Sequence, residues 1–154
     1  MQLKTARGFT MVELIMVMVL IGVLAAIGVP KLVGDNSFAA ATFGDEVASA
    51  LRSAQKTAVA RRRLVCATVD ASSVTLQMAD RPGAAACSIA LDGLGAATTV
   101  PGVTVTTHTL YFQPNGLITA NPTGRDTVRG AVVIGLDGEE RRRIAFEGST
   151  GYVQ

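Results

Sequence analysis

The chain has no tryptophan, two tyrosines and five phenylalanines, so aromatic residues are 5% of its 154 positions. A surface so poor in rings offers few platforms on which nucleic-acid bases could stack. Histidine is scarcer still. His108 stands alone in a threonine-rich stretch with no nucleophile near it, so no Ser-His or Cys-His pair can be drawn, and it reads as an ordinary strand residue. Excess charge of one sign is missing too: 14 Lys+Arg face 12 Asp+Glu. Two of those cations, Lys4 and Arg7, precede a long apolar run, and without them 12 cations balance 12 carboxylates. A protein that gathers polyanions through its overall field is not built this way. Gly93-Leu94-Gly95 lacks the rest of a phosphate loop and follows no βα unit. With no second histidine, and cysteine confined to Cys66 and Cys87, neither a metal site nor a cofactor is expected. Two arrangements of the cysteines stay open. An even count beyond an apolar span favours an oxidising compartment and one disulfide, worth ~3 kcal/mol through the loop it closes; the alternative is two free buried thiols.

What the chain does have is a long apolar run. Leu14 to Val29 carries no polar side chain, and the apolar character extends from Phe9 to Val33 with Glu13 as its one carboxylate. As a helix, residues 9–33 would be ~37 Å long, enough to cross a hydrocarbon core of ~30 Å. A helix apolar on every side belongs in lipid or inside a helical bundle. Lys4 and Arg7 ahead of it predict a cytoplasmic amino terminus and an external domain. An ordinary secretory signal with its apolar region at Leu14–Ala26 is the alternative. Against it stand Glu13 at the mouth of the apolar core and the lack of a small-x-small cleavage site before Pro30. Gly22, Gly28 and Pro30 loosen the second half of the span, since Gly costs ~1 and Pro ~3 kcal/mol in a helix interior, and Pro30 predicts a kink.

The stretch Gly8-Phe9-Thr10-Met11-Val12-Glu13-Leu14 closes a short basic leader with Gly, places Glu five residues later and opens the apolar helix. It resembles the type IV pilin class of prepilins. The resemblance implies that a prepilin peptidase cuts between Gly8 and Phe9, that the new amino terminus on Phe9 is methylated, and that Glu13 serves filament assembly. A carboxylate in apolar surroundings is costly unless paired. Cleavage would supply a partner, because the Phe9 amine stays cationic after methylation. In a filament, Glu13 of one subunit would neutralise a neighbour's Phe9 amine in low dielectric and so set docking register. The competing reading leaves Glu13 wet at headgroup depth. The resemblance also implies a helix break, with Gly22–Pro30 unwound in the assembled filament.

Gly34-Asp35-Asn36-Ser37 reads as a break or cap, and helical periodicity returns from Phe38 to Arg63 with Phe43, Val47, Leu51, Ala54 and Ala58 on one stripe. Arg61, Arg62 and Arg63 place cations at the negative end of that helix. From Leu64 the period becomes two. Val65–Val69 and Val74–Met78 read as a hairpin around Asp70–Ser73, and Arg81-Pro82-Gly83 as a turn. Cys87–Leu91 is a short strand, Gly93–Pro101 a loop, and Val103–Thr109 and Leu110–Phe112 continue the strand pattern up to the turn Gln113–Gly116. Asn121–Gly130 reads as an exposed loop, and Ala131–Leu136 and Arg142–Phe146 as a hairpin around Asp137-Gly138. Tyr152-Val153 closes the chain. The expected fold is α+β: a long N-terminal transmembrane helix packed on a β-sandwich-like head of about seven strands. Four segments are expected: a leader over 1–8, an apolar helix over 9–33, an amphipathic helix over 34–63 and a β-rich head over 64–154.

The run Tyr111-Phe112-Gln113-Pro114-Asn115-Gly116, the following hairpin and the ending Gly148-Ser149-Thr150-Gly151-Tyr152-Val153 resemble the GspH/FimT branch of minor pseudopilins. That resemblance implies a structural, non-enzymatic subunit that initiates or caps the pseudopilus of type II secretion or a type IV pilus. Implied partners are other major and minor pilins, the prepilin peptidase, the inner-membrane assembly platform and, before assembly, membrane lipid. The implied location is the inner membrane, single-pass, with a periplasmic head. Asp137, Glu139 and Glu140 read as a solvated hairpin tip, the alternative being a calcium corner like that of some major pseudopilins. The arginines carry the other function class. Arg141 and Arg143 fall on one strand face and Arg142 on the face of Ile144 and Phe146. With Arg61–Arg63, Arg125 and Arg129 they could form a basic patch of the kind a DNA-uptake minor pilin uses. Such members carry a basic Gly-Arg-x-Arg ending, whereas this chain ends Gly151-Tyr152-Val153-Gln154. An anchored enzyme is a third class, which the residue inventory disfavours.

Overall fold

The computed structural model describes residues 9–33 and 36–154, which fall into two compact units, one on each side of residues 34–35 along the chain. The first unit holds helix α1, Met11–Val33. It runs unbroken through Gly22, Gly28 and Pro30. Pro30 has no N–H to donate to the carbonyl four residues back, so one helical bond is missing there.

The second unit opens with helix α2, Asn36–Arg61. Its stripe is the expected one: Phe43, Val47, Leu51, Ala54 and Ala58 are all buried, joined by Ala40, Gly44, Ala48 and Ala50. So many small residues on one face let the helix lie close to the sheets. The helix stops two residues earlier than its periodicity suggests. Arg62 adopts a left-handed φ of 51°, its N–H donates to the Val59 carbonyl at 3.3 Å, and the Arg63 N–H reaches back to Ala58 at 3.2 Å. That pair of bonds is a Schellman ending, with an arginine where glycine usually stands.

Ten strands follow among the described residues: β1 Val65–Val69, β2 Ser73–Met78, β3 Ile89–Ala90, β4 Ala96–Ala97, β5 Val103–Val105, β6 His108–Phe112, β7 Ile118–Thr119, β8 Arg129–Leu136, β9 Glu139–Glu147 and β10 Tyr152–Val153. They form two antiparallel sheets, one ordered β3-β2-β1-β6-β7 with β4 also paired to β2, the other β10-β9-β8-β5. The expected hairpins are present. Val65 pairs with Met78 and Val69 with Val74, while β8 and β9 turn through Asp137 (φ 53°) and Gly138 (φ 84°), the two positive φ values a type I′ turn needs. Three expectations change. The strand at Cys87–Leu91 shrinks to Ile89–Ala90, and the loop 93–101 contains β4. The division expected between Thr109 and Leu110 falls instead at Thr106-Thr107, where the chain passes from one sheet to the other: β5 pairs with β8 and β6 with β1.

Inward side chains of both sheets and the α2 stripe share one core, in which Leu51, Phe112, Ile118, Ile134 and Ile144 are fully buried. Each such side chain contributes ~1.5–3 kcal/mol relative to exposure. Three backbone bonds lock the sheets together around Gly148: Ile118 N to Gly148 O at 2.9 Å, Gly148 N to Val128 O at 2.6 Å and Val128 N to Ile118 O at 3.1 Å. His108 adds a fourth tie. Its Nε2 lies 3.2 Å from the Ala131 carbonyl and its ring stands edge-on to Phe146 at 5.4 Å. The strand histidine is thus a cross-sheet link.

Candidate assembly site

The residues marked out by sequence begin at Phe9, since Gly8 and the rest of 1–8 lie outside the described residues. Phe9 is 82% exposed. Thr10 begins α1: its Oγ1 accepts the Glu13 backbone N–H at 3.3 Å and its carbonyl accepts the Leu14 N–H at 3.2 Å. Thr10-x-x-Glu13 therefore has the spacing of a capping box, and Glu13 sits in the first turn, where the helix dipole favours a carboxylate. The capping role of Thr10 is legible in that spacing, beside the filament and headgroup readings of Glu13, neither of which involves Thr10. Beyond Glu13, every large apolar side chain from Leu14 to Leu24, and Ile27, is exposed. The span Met11–Gly28 is long and apolar enough to cross a membrane. α1 is an apolar helix of the kind that anchors a chain in a membrane.

In the head, Cys66 and Cys87 are joined by a disulfide with their Cα atoms 6.1 Å apart. It ties β1 to the segment leading into β3. The two stretches that carry the GspH/FimT resemblance meet in space. Gly151 (φ 69°) sits so tightly on the Gly116 carbonyl that a Cβ there would collide with it, and Gly148 is hemmed in by Ile118 and Val128 backbone. Gln113, buried, donates through Nε2 to Thr119 Oγ1 at 2.9 Å and holds the following loop. Phe-x-Pro-x-Gly and Thr-Gly-aromatic-Val are thus two halves of one backbone lock.

The arginines of the β8–β9 hairpin are each held by a carboxylate. Arg141 pairs with Glu139 at 2.9 Å, Arg143 grips Glu140 through two bonds at 2.9 and 2.7 Å, and Arg129 pairs with Glu147. The hydrogen bond from Arg143 holds the Glu140 carboxyl below its ordinary range, and the bonds from Arg129 and then Ser149 do the same for Glu147. Glu139 and Glu140, offered as a calcium corner, already serve these arginines. Arg142 has a separate task. It lies on the Ile144 face as expected, its stem passes so close to Gly44 that a Cβ there would be 2.6 Å from its Cγ, and its guanidinium meets Asp45 at 3.0 Å. A bulge between Ile134 and Gly135 places Arg141 outside the ladder.

Residues 3–29 match the prokaryotic N-terminal methylation motif, and residues 44–150 match the type II transport protein GspH. No curated protein matches the chain in sequence. Among solved structures, the crystal structure of the type IV minor pilin FimU from Pseudomonas aeruginosa (strain PAO1) is similar, with TM-score 0.54 and 17% identity, over 73% of this chain and 84% of that one. At that identity the likeness is one of fold. With the matched head covering more than half of the chain and the methylation motif leading into the apolar helix, the chain belongs to the GspH family of type II transport proteins and is a minor pseudopilin.

Proposed function

We propose that this minor pseudopilin is a structural subunit that initiates or caps a short filament, without enzymatic work. The observation that carries the proposal is α1: an apolar helix left bare along its described length, joined to a head whose own core is complete. Such a helix needs lipid first and a bundle of like helices afterwards. In this reading a prepilin peptidase cuts between Gly8 and Phe9, Phe9 is methylated, and the amino terminus starts on the cytoplasmic side with the head in the periplasm. Glu13 then finds the Phe9 amine of a neighbouring subunit. Other pilins, the assembly platform and the peptidase are the partners, and Gly22–Pro30 is the stretch that unwinds within the filament. Nothing in the head favours the DNA-uptake alternative through Arg141 and Arg143, since each is held by its own carboxylate.

Intact-mass analysis of the chain from a strain with active prepilin peptidase tests the proposal. A species beginning at methylated Phe9 is expected. Retention of residues 1–8, or a mature start near Val29, would overturn it.

A further inference from the structure

The head has an open groove of about 470 Å³ beside the second half of α2. α2 supplies Lys56 and Arg61, β2 supplies Met78, and β3 with the loop after it supplies Ile89, Leu91 and Leu94. Ile89 is 40% exposed and Leu94 37%, so apolar surface stands open to water. The wall bearing them is fixed, because the Cys66–Cys87 disulfide holds its start and the Ser88 N–H to Met78 O and Leu91 N–H to Leu76 O bonds, at 3.1 and 2.9 Å, hold the strand. The cations are the second observation. Arg129, Arg141, Arg142 and Arg143 all have carboxylate partners, whereas Lys56 and Arg61 at the groove, like Arg62, Arg63, Arg81 and Arg125 elsewhere, are in no ion pair among the described residues.

We propose that this groove docks an unlike subunit through a segment that carries an apolar anchor flanked by carboxylates. The inference rests on the filament reading above. Charge complementarity selects the acidic flank, since bringing further cations to Lys56 and Arg61 would be repulsive, while the apolar floor selects the anchor. A second copy of this chain does not fit. Ile89 and Leu94 flank Asp92, but they belong to the groove wall itself, and laying groove on groove would bring Lys56 and Arg61 of both copies together. The contact is therefore one between unlike subunits.

The test uses the full chain expressed in its host with Leu94→p-benzoyl-phenylalanine, and Arg125→p-benzoyl-phenylalanine in the loop 120–128 as a position outside the groove. After irradiation, tandem mass spectrometry identifies the crosslinked segment. The expected product joins position 94 to an apolar residue with neighbouring Asp or Glu in another protein that carries the N-terminal methylation motif. Adding Lys56→Glu and Arg61→Glu lowers its yield at least ~tenfold, by like-charge repulsion. Both cations are on the surface, and Lys56→Gln with Arg61→Gln gives an intermediate yield if charge is the cause. A yield unmoved by charge reversal, a product on lipid or on a second copy, or no product beyond that from position 125 would each overturn the inference. Amino-terminal processing is read in the same sample. A methylated Phe9 without the groove product sinks the groove alone, whereas an unprocessed chain sinks both readings.

Discussion

Single residues carry two kinds of burden here. Glu13 has an intrachain role in the first turn of α1 and a proposed interchain one, and the two separate on substitution. Glu13→Ala leaves Thr10 as the cap, so α1 forms and the peptidase still finds Gly8-Phe9; filament incorporation, which needs the carboxylate opposite a neighbour's amine, is lost. Immunoblots for processed subunit and for sheared filaments are expected to show cleavage unchanged and incorporation abolished, and full incorporation would remove the pairing role. Glycines carry the other burden. Gly148→Ala drives a methyl into the Ile118 and Val128 backbone and should cost more than about 2 kcal/mol. Gly138→Ala meets nothing within 4 Å and bears only the strain of its φ of 84°, about 1 kcal/mol. Denaturant midpoints of the two variants decide it, and equal losses would mean that the contact at Gly148 relaxes easily.

The β8–β9 hairpin is where local charge acts on an element. Glu140 and Glu147 have carboxyl groups held below their ordinary range, by Arg143 and by Arg129 respectively. A group whose folded value is depressed stabilises the folded state above its unfolded value. That stability fades as pH falls through the folded one. The contribution is therefore present at neutral pH and lost on acidification below about pH 4. Both pairs are on the surface, so the effect is small and screened by salt. Glu140→Gln with Glu147→Gln is expected to lower the denaturant midpoint at pH 7 and to match the parent chain in acid; a difference that persists in acid would mean that packing, not charge, is responsible. This hairpin was legible in sequence because Asp137-Gly138 names its turn and alternation names its strands. Other elements were not. Two-residue strands such as β3, β4 and β7 are too short to show a period. The sheet change at Thr106-Thr107 moves the inward positions from Val103 and Val105 to His108, Leu110 and Phe112, but the threonines around it give no apolar contrast to mark the slip. The end of α2 was overrun because arginine gives no signal for the left-handed cap that Arg62 supplies. Likewise Arg142 and Asp45 lie in distant parts of the chain, and only the close approach over Gly44 brings them together.

At the scale of the molecule, the two units answer to different solvents. The large apolar side chains of α1 from Leu14 to Leu24, and Ile27, are exposed, and a helix satisfies its own backbone bonds, so lipid or detergent suffices to hold it. The α2 and sheet unit has one core, closed by the Gly148 lock and by a disulfide spanning a sequence separation of 21. Closing that loop restricts the unfolded head and is worth ~3 kcal/mol, whereas it leaves α1 untouched. Reduction of the full chain in detergent micelles should therefore lower the thermal midpoint of the head by roughly 10 °C. Above that midpoint the near-ultraviolet signal of the tyrosines is lost while a helical far-ultraviolet signal from α1 remains. Calorimetry with circular dichroism at both wavelengths reads the two units separately. A single transition that removes all helix at once would show that α1 and the head melt as one body, and an unmoved midpoint on reduction would show that the hydrogen bonds of β3 and its flanks hold the segment after Cys87 without the disulfide.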